Sequence, residues 1–424
     1  MTTALLARNR NFRLHFTASA ISNLGDGVST LALPWLATLL TRDPVLIALV
    51  VTGQRLPWFL FALPAGVLTD RADRQKMMVR ADLVRMGLTL AIIGLILSIP
   101  ALPRSDGTGA GPILALAGLS FLLGSAEVLR DNAAQTLMPQ IVAAADLERA
   151  NGQMWSAEQV MNQFVGPPLA GALIGFGIAL PFGLDALTFA LAAALVAFLR
   201  LPRPDLPPRR AFLTELREGF VWLKDHVLIR RLAIVLGLTN AVFTAAITML
   251  ALYAQEILGL GAFGYGLLLT AGAAGGVVAG LTGPAIVARL GAERTVHLSM
   301  VTFTLAYLIL GLFPSKAMAA VGLFGDAFGG VLWNVVTVSY RQRVIPQALL
   351  GRVNSIYRFV GWGMIPFGAM AGGAMVRLAE PAFGRETALL LPFVVAGAVT
   401  ALLTLYGVFR LRFPAPAPRK SGER

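Results

Sequence analysis

Long apolar stretches separated by short polar segments recur along the whole 424-residue chain. They fall near 15–40, 45–69, 77–100, 112–139, 155–178, 180–200, 229–257, 262–289, 295–314, 317–340, 353–378 and 387–410. Each reaches the roughly 20 residues that an α-helix needs to cross a hydrocarbon core. The alternation predicts an all-α integral membrane fold of twelve transmembrane helices. The fifth and sixth spans are the hardest to separate, because the Gly177–Pro181 turn carries no charge. One polar segment is longer than the rest. Leu201–Arg210 is rich in Pro and Arg and reads as a linker. Ala211–His226 then places Phe212, Leu216, Phe220 and Leu223 at helical spacing, with Glu215, Arg217, Glu218, Lys224 and Asp225 on the other face. That is an amphipathic helix lying on the membrane surface. The expected organisation is a six-helix bundle over 1–200, a cytoplasmic linker over 201–228, a second six-helix bundle over 229–412 and a tail over 413–424.

Composition agrees with the pattern. Hydrophobic residues make up 56% and charged residues 13%, where soluble domains carry roughly 25% charge. A soluble enzyme of this composition lacks the polar groups to cover its surface. The absence of cysteine excludes thiol catalysis, iron–sulfur clusters and cysteine-ligated zinc. His15, His226 and His297 sit beside apolar runs and read as interfacial, so no metal is expected.

The net charge of +13 follows the spans. With both termini on one side, 28 Lys and Arg fall in the loops of that side and 5 in the opposite loops. Arg55 and Arg130 lie inside spans, and Arg85 is counted with the loop before span 3. This bias places both termini in the cytoplasm and accounts for the basic charge without nucleic acid. The apolar run to Leu40 is too long for a signal-peptide core, so it reads as a retained first span of a multi-pass protein in the bacterial cytoplasmic membrane.

The two halves are similar. Pro139-Gln140, then Leu147-Glu148-Arg149-Ala150-Asn151-Gly152, then Gly166-Pro167-Pro168 is matched by Pro346-Gln347, Leu350-Gly351-Arg352-Val353-Asn354-Ser355 and Pro366-Phe367-Gly368. Duplicated halves are common in secondary transporters. The chain has no Gly-x-x-x-x-Gly-Lys-Ser/Thr segment, so ATP is not the expected energy source. No cofactor is expected.

The loop after span 2 reads Gly66-Val67-Leu68-Thr69-Asp70-Arg71-Ala72-Asp73-Arg74-Gln75-Lys76. It resembles the signature loop of the major facilitator superfamily, Gly-x-Leu-x-Asp-Arg-x-Gly-Arg-Lys/Arg. Gly66, Leu68, Asp70, Arg71 and Arg74 match in register, Asp73 replaces the usual glycine and Lys76 is displaced by one. The second-half counterpart keeps Arg289, Gly291 and Arg294 but lacks the acid. Gly66, Asp70, Arg71 and Arg74 are the expected conformational latch. Asn23-Leu24-Gly25-Asp26-Gly27-Val28-Ser29 in span 1, Glu127 to Gln135 in span 4 and Gly166 to Gly171 in span 5 are similar to the bacterial branch of macrolide, tetracycline and multidrug exporters, near siderophore exporters. The resemblance implies two pseudo-symmetric bundles around a central cavity. It also implies export of hydrophobic or amphipathic small molecules by proton antiport, with no enzymatic activity.

Charges inside spans are costly and mark function. Asp26, Glu127, Arg130 and Asp131 are the candidate proton-coupling residues, with Asp26 and Arg130 as the preferred switching pair. Glu127 and Asp131, four apart, share a helix face. A static salt-bridge network that only orients helices is the alternative. Glu158 and Asp326 also lie within spans, and Asp185 is placed near the outer surface. Gln54, Arg55, Asn162, Asn240, Asn334 and Trp333 are candidates for lining the substrate cavity. An endogenous siderophore or secondary metabolite is the alternative cargo, and a membrane scaffold or sensor the alternative class. The expected partners are the small-molecule cargo, protons and the lipid bilayer, with the chain a monomer.

Overall fold

The computed structural model describes residues 5–103, 110–143, 146–201, 212–346 and 349–413, with the side chains of 62, 63, 66, 67, 70, 71, 148, 212–216 and 351 left outside that description. All regular structure among the described residues is helical. In the first half, α1 spans Arg10–Leu40, α2 Pro44–Arg71, α3 Arg74–Leu97 and α4 Gly111–Ile141. The fifth span, α5, has three parts: Leu147–Glu158, a π-helical stretch Gln159–Val165, and Gly166–Phe176. Gly177 ends it, and α6 restarts at Leu180–Ala197 with Pro181 in its first turn, so the uncharged turn is a true boundary.

The linker helix α7 covers Phe212–Asp225. Its Leu223 is buried against the second bundle while Phe220 stays exposed. In the second half, α8 runs through Val227–Thr248, Leu250–Leu252 and a π-helical Tyr253–Ile257. Helices α9 (262–290) and α10 (292–312) meet at Gly291, then come α11 over Lys316–Val344, α12 over Leu350–Gly363 and Ile365–Phe383, and α13 over Arg385–Arg410.

Local chemistry sets these boundaries. Asn9, Asp43, Asp73 and Ser315 each cap the following helix with a side-chain oxygen that accepts a backbone N–H. The departure at Asp73 from the usual glycine thus has a use: its carboxylate accepts from the Lys76 N–H at 3.1 Å and starts α3 early. Between α9 and α10, Gly291 adopts φ 79° and ψ 168°, a region essentially reserved for glycine. Gly291→Ala should therefore cost about 1–3 kcal/mol, read as a lower thermal midpoint in detergent. Gly280→Ala, whose added carbon meets nothing within 4 Å, should leave that midpoint unchanged or raise it.

Eight helical stretches among the described residues are long and apolar enough to cross a membrane, one of them the 51-residue Ala262–Leu312. At 1.5 Å per residue that stretch would be about 75 Å long, so the Gly291 break makes it two crossings. The remaining spans, α1, α3 and α5, fall short because they carry polar stripes or are cut into short segments.

Four hydrophobic clusters show how the bundles meet. At the end that carries Leu5 and Phe413, each bundle has its own cluster, one around Phe12, Met78 and Leu137 and one around Leu232, Trp333 and Tyr357. Toward the opposite end the clusters are shared between bundles: Leu33, Ile47 and Ile113 pack with Met249, Leu252 and Val376, and Leu31 and Trp35 pack with Leu250 and Tyr265. The bundles are therefore joined at one end and parted at the end of the termini.

Candidate functional site

Between the parted bundles lies a cavity of about 680 Å³. Its floor and one wall come from α1, α3, α4 and α5 and carry Asp26, Arg85, Glu127, Asp131, Glu158 and Asn162. The facing wall comes from α2 and α12 and carries Gln54, Arg55, Trp58, Phe59, Arg358, Phe359 and Trp362. Phe59 stacks on Phe359 with ring centroids 5.0 Å apart, Trp58 meets Trp362 edge-on at 6.4 Å, and the Arg358 guanidinium lies 5.6 Å from the Trp362 ring. One wall is thus polar and acidic, the other aromatic with two cations. Neither Arg55 nor Arg358 has a carboxylate within 4 Å among the described residues.

The charges of the first bundle form an alternating chain. Arg85 of α3 pairs with Asp26 of α1 through Nη2 and Oδ1. Its other nitrogen lies 3.8 Å from Asp82, and Asp82 lies 3.6 Å from Nε of Arg130. Arg130 reaches back to Asp131 at 3.3 Å. The order is Asp26, Arg85, Asp82, Arg130, Asp131, with Asp26, Arg85 and Asp131 lining the cavity and Asp82 and Arg130 inside the bundle. Asp82, Arg85 and Arg130 are almost wholly buried, a placement only pairing makes tolerable. The Phe189 ring lies 4.0 Å from the Arg85 guanidinium and adds a cation–π contact.

Asp26 therefore pairs with Arg85 rather than with Arg130, the partner expected from the sequence. Arg130 turns inward to Asp82, while Glu127 and Asp131 share the cavity-facing side of α4 as their spacing predicts. The sequence reading groups Arg85 with the basic loop before span 3, although it and Asp82 fall inside 77–100, and so leaves the pair out of the site. Their spacing with Thr89 within an apolar run was the signal. Asp185 is not near the outer surface. It is buried at 2% exposure, lines the cavity and accepts a 2.6 Å hydrogen bond from Ser29.

Of the expected cavity residues, Gln54, Arg55 and Asn162 line it. Asn240 does not: its amide donates to the Gly361 carbonyl at 2.8 Å and ties α8 to α12. Trp333 fills the core of the second bundle, and Asn334 is exposed away from the cavity. Asp326 is likewise remote, accepting from the Tyr307 hydroxyl at 2.5 Å. Of the latch residues, the side chains of Gly66, Asp70 and Arg71 lie outside the described residues, while Arg74 donates to the Thr136 carbonyl at 3.1 Å. His15 is fully buried rather than interfacial.

At the joined end a polar clamp crosses between bundles. Arg42 donates to Gln255 at 2.6 Å and lies 3.5 Å from Glu256, Gln255 donates to Thr38 at 2.7 Å, and Arg377 pairs with Asp43. Arg385 binds Glu256 at 2.9 Å, Glu380 at 3.1 Å and the Arg42 carbonyl at 2.9 Å. Exposed pairs contribute about 0.2–1 kcal/mol each. Arg42→Ala with Arg377→Ala removes three cross-bundle links, so the joined end should open about tenfold more often. The chain has no native cysteine, so Thr30→Cys alone reports on the cavity. An impermeant maleimide added on the face opposite the termini should label it about tenfold faster in the double variant, and an unchanged rate would remove the clamp from any gating role.

Comparison with known proteins agrees with this architecture. The family described as transmembrane secretion effector matches residues 2–415. The enterobactin exporter EntS of Citrobacter koseri is 26% identical over 99% of this chain and 97% of its own. The multidrug efflux pump Tap of Mycobacterium tuberculosis is 24% identical over 91% of each chain. Among solved structures, a point mutant of the nucleoside transporter NupG superposes with a TM-score of 0.74 at 13% identity, covering 95% of this chain and 100% of that one. A bacterial ferroportin homologue in its inward-facing state gives 0.70 at 17% identity, covering 96% and 99%. One in its outward-facing state gives 0.58 at 19%, covering 94% and 100%. The match along nearly the whole chain, on an all-helical fold of two bundles, places this protein in the transmembrane secretion effector family of the major facilitator superfamily.

Proposed function

We propose that this protein exports hydrophobic or amphipathic small molecules across the bacterial cytoplasmic membrane by proton antiport with alternating access. The observation that carries the proposal is the alternating charge chain whose acids, Asp26 and Asp131, open into a cavity with an aromatic wall. A carboxylate that pairs with a guanidinium in one state and parts from it in another changes its proton affinity between them. Glu127, with no ion pair within 4 Å among the described residues, is a further proton carrier. The two moving bodies are 1–200 and 229–412, joined by 201–228, with both termini and the tail 413–424 in the cytoplasm and the chain acting as a monomer. On that orientation the cavity opens inward, and the better superposition on the inward-facing homologue supports the same state. Gly66, Asp70, Arg71 and Arg74 latch the opposite state in this reading.

The test is proton release from acid-loaded inverted vesicles on addition of macrolides, tetracyclines and other amphipathic drugs. Lumenal pH should rise on drug addition, and only with protein present. No response to any compound from folded protein would overturn drug antiport. A second cargo reading is favoured by Arg55 and Arg358, the two cations on the aromatic wall. Both suit an anionic aromatic cargo such as a catecholate siderophore, as does the full-length similarity to an enterobactin exporter. Drug-triggered release competed by a catecholate but not by cationic drugs would select it. A scaffold or sensor would instead tolerate neutral replacement of the buried charges.

A further inference from the structure

We propose that protons leave Asp26 through the interior of the first bundle, along a buried polar column that ends at His15, and not through the cargo cavity. The inference rests on the antiport reading and adds a route to it. On α1, the cavity-lining residues are Asn23, Asp26, Ser29, Thr30 and Leu33. A second polar stripe on the same helix, His15, Ser19, Ser22, Asp26 and Ser29, recurs at spacings of four and three and so runs along one face. Asp26 and Ser29 belong to both stripes. Asp26 is thus the junction between the cavity and the bundle interior.

From Ser29 to His15 the stripe covers about 21 Å of helix at 1.5 Å per residue, a large part of the roughly 30 Å hydrocarbon core. His15, Ser19 and Ser22 are buried at 0%, 3% and 0% exposure, and none of them lines the cavity. Both ring nitrogens of His15, the Ser19 hydroxyl, both Asp82 oxygens, Nε of Arg85 and two guanidinium nitrogens of Arg130 have no hydrogen-bonding partner among the described residues. Buried polar groups in proteins are satisfied by protein or by water. A run of orphaned donors and acceptors within one bundle is the lining of a water file, since each buried water needs two to four polar partners.

The chemistry of the column suits proton passage. Hydroxyls of Ser22 and Ser19 both donate and accept. A neutral imidazole accepts a proton on one nitrogen and releases one from the other, so His15 can pass a proton with no net charge left behind. The charged groups facing the column are Asp82 and Arg85 on α3, Arg130 and Asp131 on α4, and Asp185 on α6. Beyond His15, Asn11 is one turn further on the same face and bonds the Arg200 carbonyl at the surface. Phe12, Met78, Leu137 and Val196 form the apolar sleeve at that end.

The test compares two modes of the reconstituted protein, using whichever drug triggers proton release in the wild type. Net drug transport driven by a pH gradient needs the proton path. Exchange of labelled for unlabelled drug without a gradient does not. His15→Phe should cut net transport at least tenfold while drug binding and drug exchange stay within twofold. Net transport within twofold of wild type would overturn the column. If His15→Phe does not yield monodisperse protein, Ser19→Val puts an apolar side chain in the same column and is read by the same comparison. A wild type that binds drug but releases no proton would fail the antiport reading itself, a different result from a wild type and a variant that both release protons.

Discussion

Asp26→Asn should abolish drug-triggered proton release, a loss of at least about 100-fold, while drug binding changes by no more than about threefold. The asymmetry follows from what asparagine keeps. It has nearly the shape of aspartate and still accepts a hydrogen bond from Arg85, but its amide neither gains nor gives up a proton at physiological pH. The pocket therefore survives and the coupling does not. Arg85 does not become an isolated buried cation, because Asp82 remains 3.8 Å from it. Leaving a buried charge with no partner costs about 3–5 kcal/mol, and that residual pairing is why the variant should fold. Glu127→Gln and Asp131→Asn are the informative comparisons. If release survives in Asp26→Asn and fails in one of these, the exchangeable proton sits on α4 and the Asp26–Arg85 pair only holds α1 against α3. Binding assays on the same preparations separate lost coupling from lost cargo.

Spans follow from hydropathy because lipid demands a continuous apolar helix, and the charge bias of the loops follows from the same physics. The charges of α4 were legible as a site because Glu127, Arg130 and Asp131 interrupt a strongly apolar run. Asp82 and Arg85 were not, since they sit in the first, more polar turns of the 77–100 span, next to the basic loop with which Arg85 is counted, and hydropathy does not show that both side chains turn into the bundle. Facing was the other gap. Trp333, Asn240 and Asn334 lie in spans as expected, but hydropathy along a nearly uniform apolar helix does not say which side meets a cavity. Asp185 shows the same limit. Five residues from the start of α6 it looks superficial, but Gly25 and Ser29 of α1 pack against its carboxylate. The π-helical stretches have no sequence signature, although Asn162 and Gln163, which line the cavity, both lie in Gln159–Val165.

Asn162 lies at a close backbone crossing of the first bundle, and Gly27→Val should destroy it. Helices α1 and α5 cross with their backbones in contact. A carbon added at Gly27 would lie 2.7 Å from Cα of Asn162 and 2.9 Å from its carbonyl carbon. A carbon added at Gly166 would lie 2.6 Å from Cα of Gly27, so the fit is reciprocal. Overpacking between side chains costs about 1–3 kcal/mol, because a side chain can change rotamer. Here the obstructing atoms are main chain on both sides, and relief requires moving a whole span. We expect at least about 3 kcal/mol for Gly27→Val, a large share of the 5–15 kcal/mol typical of folded proteins, and most of that for Gly27→Ala. Gly183→Ala, on the neighbouring α6 with nothing within 4 Å of the added carbon, should leave the thermal midpoint in detergent where it was. Gly27 follows Asp26 directly, so a folded Gly27→Ala protein would also have pushed α5, with Glu158 and Asn162, away from the proton site. Normal stability together with normal coupling in Gly27→Ala would show that the helices do not meet this closely, and would remove the crossing as the element that holds Asp26 of α1 and Asn162 of α5 in register on one wall of the cavity.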